Sequence, residues 1–181
     1  MPLIAGLQNR SEGTVRALLG KELMTENGLL TEQGSSTFWD RSTLYALRGI
    51  YIAGQADRAT EFLSHYARRR LLGDHVPYPI EAWPEGSQRH LAAESGLFCR
   101  VITEGLFGIR PTGFRSFDLT PSMPSGWNRM ALRHIRSFEN NFDLVIEKQP
   151  DGFLRVTLAI SGRNPRAFRL RQGASLRIKL P

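Results

Sequence analysis

Between positions 81 and 94 the sequence sets Glu81, Trp83, Glu85, Gln88, Arg89, His90 and Glu94 close together. Three carboxylates beside aromatic and hydrogen-bonding side chains fit one chemistry well. Cleavage of a glycosidic bond needs two carboxyl groups about 5 to 10 Å apart across the sugar. One protonates the leaving oxygen; the other activates water or attacks carbon. Sugar rings also need aromatic surfaces to stack on, and Trp39, Tyr78 and Trp83 offer them. Asp40, Gln88, Arg89 and His90 could hold hydroxyl groups. Each residue has a plainer role as well. Glu81 reads equally as a solvated loop charge, Glu85 as the partner of Arg89 four residues on, and Glu94 as a structural carboxylate paired with an arginine. Asp40 suits the exposed amides of a helix start, Trp83 a core position, and His90 a first helical turn.

The elements that must position these groups can be read from spacing. Residues 42–53 read as a helix with Tyr45, Leu47, Ile50, Tyr51 and Ile52 on nearly every side, as expected of a helix inside a larger assembly. After Gly54 a second, amphipathic helix runs from 56 to 72, with Ala59, Phe62, Leu63 and Tyr66 at helical spacing. The two form a helical hairpin. A weak helix ends near Leu23. The stretch 26–40 is a glycine-rich loop that carries Phe38 and Trp39. The three prolines of 75–90 exclude a continuous helix there. A third helix is expected over 91–106, with Glu94, Leu97, Phe98, Val101 and Ile102 on one face. Cys99 falls within it and reads as packed and inert.

Composition changes after Gly108. Prolines and glycines cut the chain into short segments, and from Asn141 the apolar period becomes two: Phe142, Leu144, Ile146, then Leu154, Val156, Leu158, Ile160. Pro150-Asp151-Gly152 marks the turn between them. Phe168 and Leu170, then Leu176 to Leu180, complete a meander of about four strands. Helices followed by strands indicate an α+β chain in two units, placed at 1–110 and 111–181.

Bulk properties narrow the classes further. The chain has 181 residues, 41% hydrophobic and 23% charged, an ordinary globular balance. Its one cysteine excludes an intrachain disulfide and a cysteine-rich metal framework. No apolar run is long enough to span a membrane. No cofactor is expected: phosphate loop, nucleotide fingerprint, Gly-x-Ser-x-Gly elbow and HExxH spacing are all missing, so no metal site is expected either. The net charge of +7 raises nucleic acid, but the arginines are scattered and no reader motif accompanies them, so nucleic acid is not expected. Met-Pro-Leu-Ile-Ala-Gly at the start does not read as a secretory signal. The default location is cytoplasmic, or periplasmic if the chain is part of a secreted parent.

Three runs resemble the C-terminal region of bacterial six-hairpin glycosidases: Thr37-Phe38-Trp39-Asp40-Arg41-Ser42-Thr43-Leu44, Leu71-Leu72-Gly73-Asp74-His75-Val76-Pro77-Tyr78-Pro79, and Glu81-Ala82-Trp83-Pro84-Glu85-Gly86-Ser87-Gln88-Arg89-His90-Leu91. The segment Glu104 to Phe114, with Leu119-Thr120-Pro121-Ser122-Met123-Pro124-Ser125-Gly126-Trp127, is similar to the crossover from their last helix into a terminal β domain. The resemblance implies helical hairpins of a partial (α/α)6 toroid, then a small, sandwich-like antiparallel cap. It implies a glycoside hydrolase, or the C-terminal fragment of one. Glu81 or Glu85 matches the base region, with Glu94 as a further candidate, and Trp39 and Asp40 match sugar contacts. The proton donor would come from an earlier hairpin. Carbohydrate is the implied ligand, and a missing N-terminal part or a second copy would cover the helices. The alternative is a non-catalytic remnant that binds carbohydrate or a partner.

Overall fold

In a computed structural model, residues 2–26, 28–30, 32–71, 82–83, 92–137 and 139–181 are described, the side chains of 2–8, 69–70 and 82–83 excepted. The chain divides into two compact units, Met1–Gly105 and Leu106–Pro181.

The first unit is organised around a helix α2 (Asp40–Ile52), which buries Thr43, Leu44, Leu47, Ile50 and Tyr51 along one side. It is preceded by α1 (Pro2–Leu18) and by the short strands β1 (Met24–Thr25), β2 (Gly28–Leu29) and β3 (Phe38–Trp39). Trp39 is extended at the helix start and supplies no side-chain cap. Thr43 does the tying instead. Its hydroxyl donates to the Trp39 carbonyl at 2.8 Å and accepts the Leu29 amide at 3.0 Å, so one buried side chain joins β2, β3 and α2. Gly54, at φ +81, ends the helix.

Helix α3 (Ala56–Leu71) returns immediately and buries Ala59, Leu63 and Tyr66. The Tyr51 hydroxyl meets the Thr60 hydroxyl at 2.8 Å. Burial pushes the Tyr51 phenol up from its ordinary value, and the Thr60 hydrogen bond opposes that rise. Next comes β4 (Ala82–Trp83), antiparallel to β3 with Phe38 opposite Trp83 and Trp39 opposite Ala82. Helix α4 (Ala92–Arg100) packs on Glu94, Leu97 and Val101 and widens into a π-helix over Val101–Leu106. Gly105 lets that turn approach α2 closely: a Cβ there would lie 3.1 Å from Tyr51 Cδ2.

The second unit is all strand. A meander places β7 (Arg129–Ser137), β8 (Asn140–Lys148), β9 (Phe153–Ile160) and β10 (Arg166–Arg171) in one antiparallel sheet of order β10-β9-β8-β7. A second sheet orders β11 (Leu176–Lys179), β6 (Ser116–Leu119) and β5 (Ile109–Gly113). Alternation along β8 and β9 buries Phe142, Leu144, Ile146, Leu154, Val156 and Leu158 on one face. Phe117 of β6 stacks on Phe142 of β8 with ring centroids 6.0 Å apart, so the two sheets share an apolar layer. Gly108, at φ +65, starts the unit. Its carbonyl accepts the Thr120 amide at 3.0 Å, and a Cβ on it would stand 1.9 Å from the Thr120 oxygen. Only glycine fits there.

These observations correct the expected architecture. The described residues form four α-helices and several unclosed sheets, not a stretch of (α/α)6 toroid. The mixed α+β character holds, but the strand region is a pair of sheets with four and three strands rather than a small compact sandwich cap. The likeness to six-hairpin glycosidases therefore does not extend to the fold. Helix α2 is not buried all round either, since Tyr45 is 51% and Ile52 63% exposed. Cys99, expected to be packed, is exposed. It lies off the face that Glu94, Leu97 and Val101 define, because only positions three or four apart stack on one side of a helix.

Candidate functional site

Of the residues singled out for chemistry, Tyr78, Glu81, Glu85, Gln88, Arg89 and His90 lie outside the described residues, as does the Trp83 side chain. Trp39 is half-buried in β3. Asp40 is buried in the first turn of α2, and Glu94 is fully buried in the first turn of α4. Glu94 is engaged by Arg41, whose Nε donates to Oε1 at 2.6 Å, while Oε2 has no hydrogen-bond partner. The pair fastens the start of α2 to the start of α4. Among the described residues no group of three or more His, Cys, Asp or Glu side chains is placed so that it could hold a metal ion. With neither the toroid nor a catalytic carboxylate cluster among the described residues, the reading as a glycosidase and hydrolase of carbohydrate metabolism loses its basis.

Polar groups converge elsewhere, at an irregularity in the four-stranded sheet. The β7–β8 register shifts between Leu132 and Ile135. Such a bulge leaves backbone groups without ladder partners and re-aims side chains. His134 takes a left-handed backbone conformation there, φ 57, which is uncommon for a non-glycine residue. Its amide is satisfied by Asp143 of β8, whose Oδ1 accepts it at 2.8 Å, and Arg133 Nη1 stands 3.6 Å from Asp143 Oδ2. One carboxylate thus holds the bulge in shape.

Beside it lies a pocket of about 240 Å³ lined by His134, Asn141, Asp143, Ala159 and Ser161, with Phe142 and Ile160 beneath. Asn141 Oδ1 is buried and has no hydrogen-bond partner. A buried amide oxygen left unmatched costs about 1 to 3 kcal/mol, so this wall calls for a donor. Backbone strain and an unmatched polar atom in one place are the usual marks of a functional site. Larger hollows lie against α1 in the helical unit. The one between the end of α1, β1 and α3 has a floor of Leu19, Met24 and Phe62.

Charge is distributed as unevenly as polarity. Residues 106–181 carry 13 Lys and Arg against five Asp and Glu, whereas residues 1–105 carry 11 against 12. The chain's positive excess therefore belongs to the strand unit. On the outer face of the four-stranded sheet, Arg155 of β9 stands directly opposite Arg169 of β10. Phe153 is flanked by Arg169, 3.6 Å from the ring centre, and by Arg171 at 5.5 Å. Asp151 takes Arg169 at 2.7 Å; the Phe153 amide, then Arg169, hold its carboxyl below the usual range. On the other sheet, Asp118 lies between its cross-strand neighbours Arg177 and Arg110 and bonds both. They hold it below the usual carboxylate range, Arg177 most strongly.

Among the described residues no helix is long and apolar enough to cross a membrane. Compared with known proteins, the chain matches no family model, no curated protein and no solved structure.

Proposed function

We propose that this chain is a binding protein whose strand unit takes a carbohydrate at the bulge pocket. The unpartnered Asn141 Oδ1 carries the reading, because Asn141 lines a cavity that is also lined by Asp143, Ser161 and His134. Oxygen acceptors and a hydroxyl at the edge of a preformed pocket are matched by a ligand that offers many hydroxyl donors. No bond of the ligand needs to break for these groups to be satisfied.

The test is calorimetry and NMR titration with a panel of neutral and acidic hexasaccharides. Binding should move the backbone resonances of Asn141, Asp143 and Ser161. Asn141→Ala should weaken it about tenfold, the equivalent of one lost hydrogen bond, without lowering the melting temperature, since it removes a buried acceptor that is unmatched in the free protein. A panel without binders, or shifts confined to other surfaces, would overturn the reading.

A further inference from the structure

The bulge pocket and the arginines share one face of the four-stranded sheet. Because Phe142, Leu144 and Ile146 point inward, the alternate residues Asn141, Asp143, Val145 and Glu147 of β8 point outward. On β9 the outward set is Phe153, Arg155, Thr157 and Ala159, opposite the buried Leu154, Val156 and Leu158. Register aligns them. Asp143 faces Ala159, Val145 faces Thr157, and Glu147 faces Arg155, which in turn faces Arg169. From the pocket to the arginine row is four residues along β8, about 13 Å at the strand rise. The ground between is low, floored by Val145, Thr157 and Ala159, with Ala167 beside Thr157 on β10.

At the far end the cations exceed the available carboxylates. Glu147 stands 3.5 Å from Arg129, and Asp151 holds Arg169. Arg155 and Arg171 have no carboxylate partner among the described residues. Arg155 is directly opposite Arg169, and like charges in opposed cross-strand positions destabilise a sheet. An anion laid across the row would remove that repulsion, and a planar guanidinium can grip a carboxylate through two parallel hydrogen bonds.

We propose that the carbohydrate is an acidic chain, bound lengthwise along β8 and β9. Its hydroxyls enter the bulge pocket and a uronate carboxylate reaches Arg155 and Arg171. This rests on the pocket being a carbohydrate site and adds the charge, length and direction of the ligand. The same geometry disfavours a nucleic acid strand. The Phe153 ring already carries the Arg169 guanidinium, which occupies a face that a base would stack on.

The deciding experiment measures affinity for hexasaccharides of galacturonan, alginate and hyaluronan, each beside its carboxyl-reduced form, with a twelve-nucleotide single-stranded DNA in parallel. At least one acidic hexasaccharide should bind ten times or more tighter than its reduced form. The double variant Arg155→Ala/Arg171→Ala should abolish that preference while leaving the reduced form's affinity unchanged. Both residues are exposed, so the variant should fold. Equal affinity for both forms would overturn the acidic-chain proposal and leave the carbohydrate reading standing. Failure of every sugar to bind would overturn both. DNA bound tighter than any hexasaccharide, and released by the same double variant, would make the face a nucleic-acid surface and overturn the proposal.

Discussion

The two units of this chain balance charge in opposite ways. In the helical unit acids and bases are nearly equal, and they pair both between helices, Arg41 with Glu94 and Arg48 with Glu104, and at four-residue spacing, Arg100 with Glu104. In the strand unit arginines outnumber acids so far that Asp118 serves two of them, and others face one another across strands. A helix brings partners together at three- and four-residue spacing, so a pair can form within one element. A strand sends alternate residues to the same face, and a basic sequence there builds a row of like charge. The difference teaches that the first unit has acids enough to match its bases, whereas the second pairs its carboxylates and is still left with an excess of arginine.

The largest effect should come from the backbone of the strand unit. Gly108→Ala places a Cβ against the Thr120 carbonyl in a left-handed conformation, and we expect about 4 kcal/mol of destabilisation. Hydrogen exchange should show lost protection in β5 to β11, with α2 and α3 unchanged if each unit is its own cooperative body. Simultaneous loss in both would break the comparison by showing one body.

The reciprocal change is smaller. Arg41→Ala removes the partner of a fully buried carboxylate. A buried charge stripped of its partner costs about 3 to 5 kcal/mol, but Arg41 is itself 37% exposed, and exposed pairs contribute under about 1 kcal/mol. We expect about 2 kcal/mol, read as faster exchange in α2 and α4 only. Arg41→Ala combined with Glu94→Gln should recover part of the loss, because no unpaired charge then remains buried. A double variant no better than the single would mean that the pair is not what fastens the two helices.

Sequence reading reached the regular elements and missed the irregular ones. Helices α2 and α3 were legible from Leu47, Ile50, Leu63 and Tyr66, and strands β8 and β9 from an unbroken period of two. Strands β5 to β7 were hidden. Pro111 and Gly113 suggest interruption, and in β7 the inward series Met130, Leu132, Ile135 slips from a spacing of two to three. That slip is the bulge itself, and it was the one sequence signal that could have located the pocket. The strain at His134 and the unmatched Asn141 oxygen depend on register and burial, which spacing alone does not carry. The glycosidase reading built on the carboxylates and Trp83 of 81–94 lost its basis for the converse reason, although most of that stretch lies outside the described residues. Their types suit sugar chemistry, but the chemistry also needs a surrounding architecture, and the four α-helices and open sheets of the described residues do not supply it.

The smallest effect separates the units by pH. Asp118 has its folded pKa lowered by Arg177 and Arg110, so its charged form is favoured by folding. That stabilisation is present above the unfolded carboxylate value of about 3.9 and is lost as pH falls through the lower folded value. Asp151 acts in the same direction. The strand unit should therefore weaken as pH falls below about 4, and Asp118→Asn should flatten that decline at the expense of stability near neutrality. Urea midpoints followed across this range, with hydrogen exchange locating the change, provide the measurement. An acid limb that Asp118→Asn leaves unaltered would mean that the arginines flanking it bring the strand unit no stability, and that this sheet, like the outer face of its neighbour, tolerates its excess charge rather than using it.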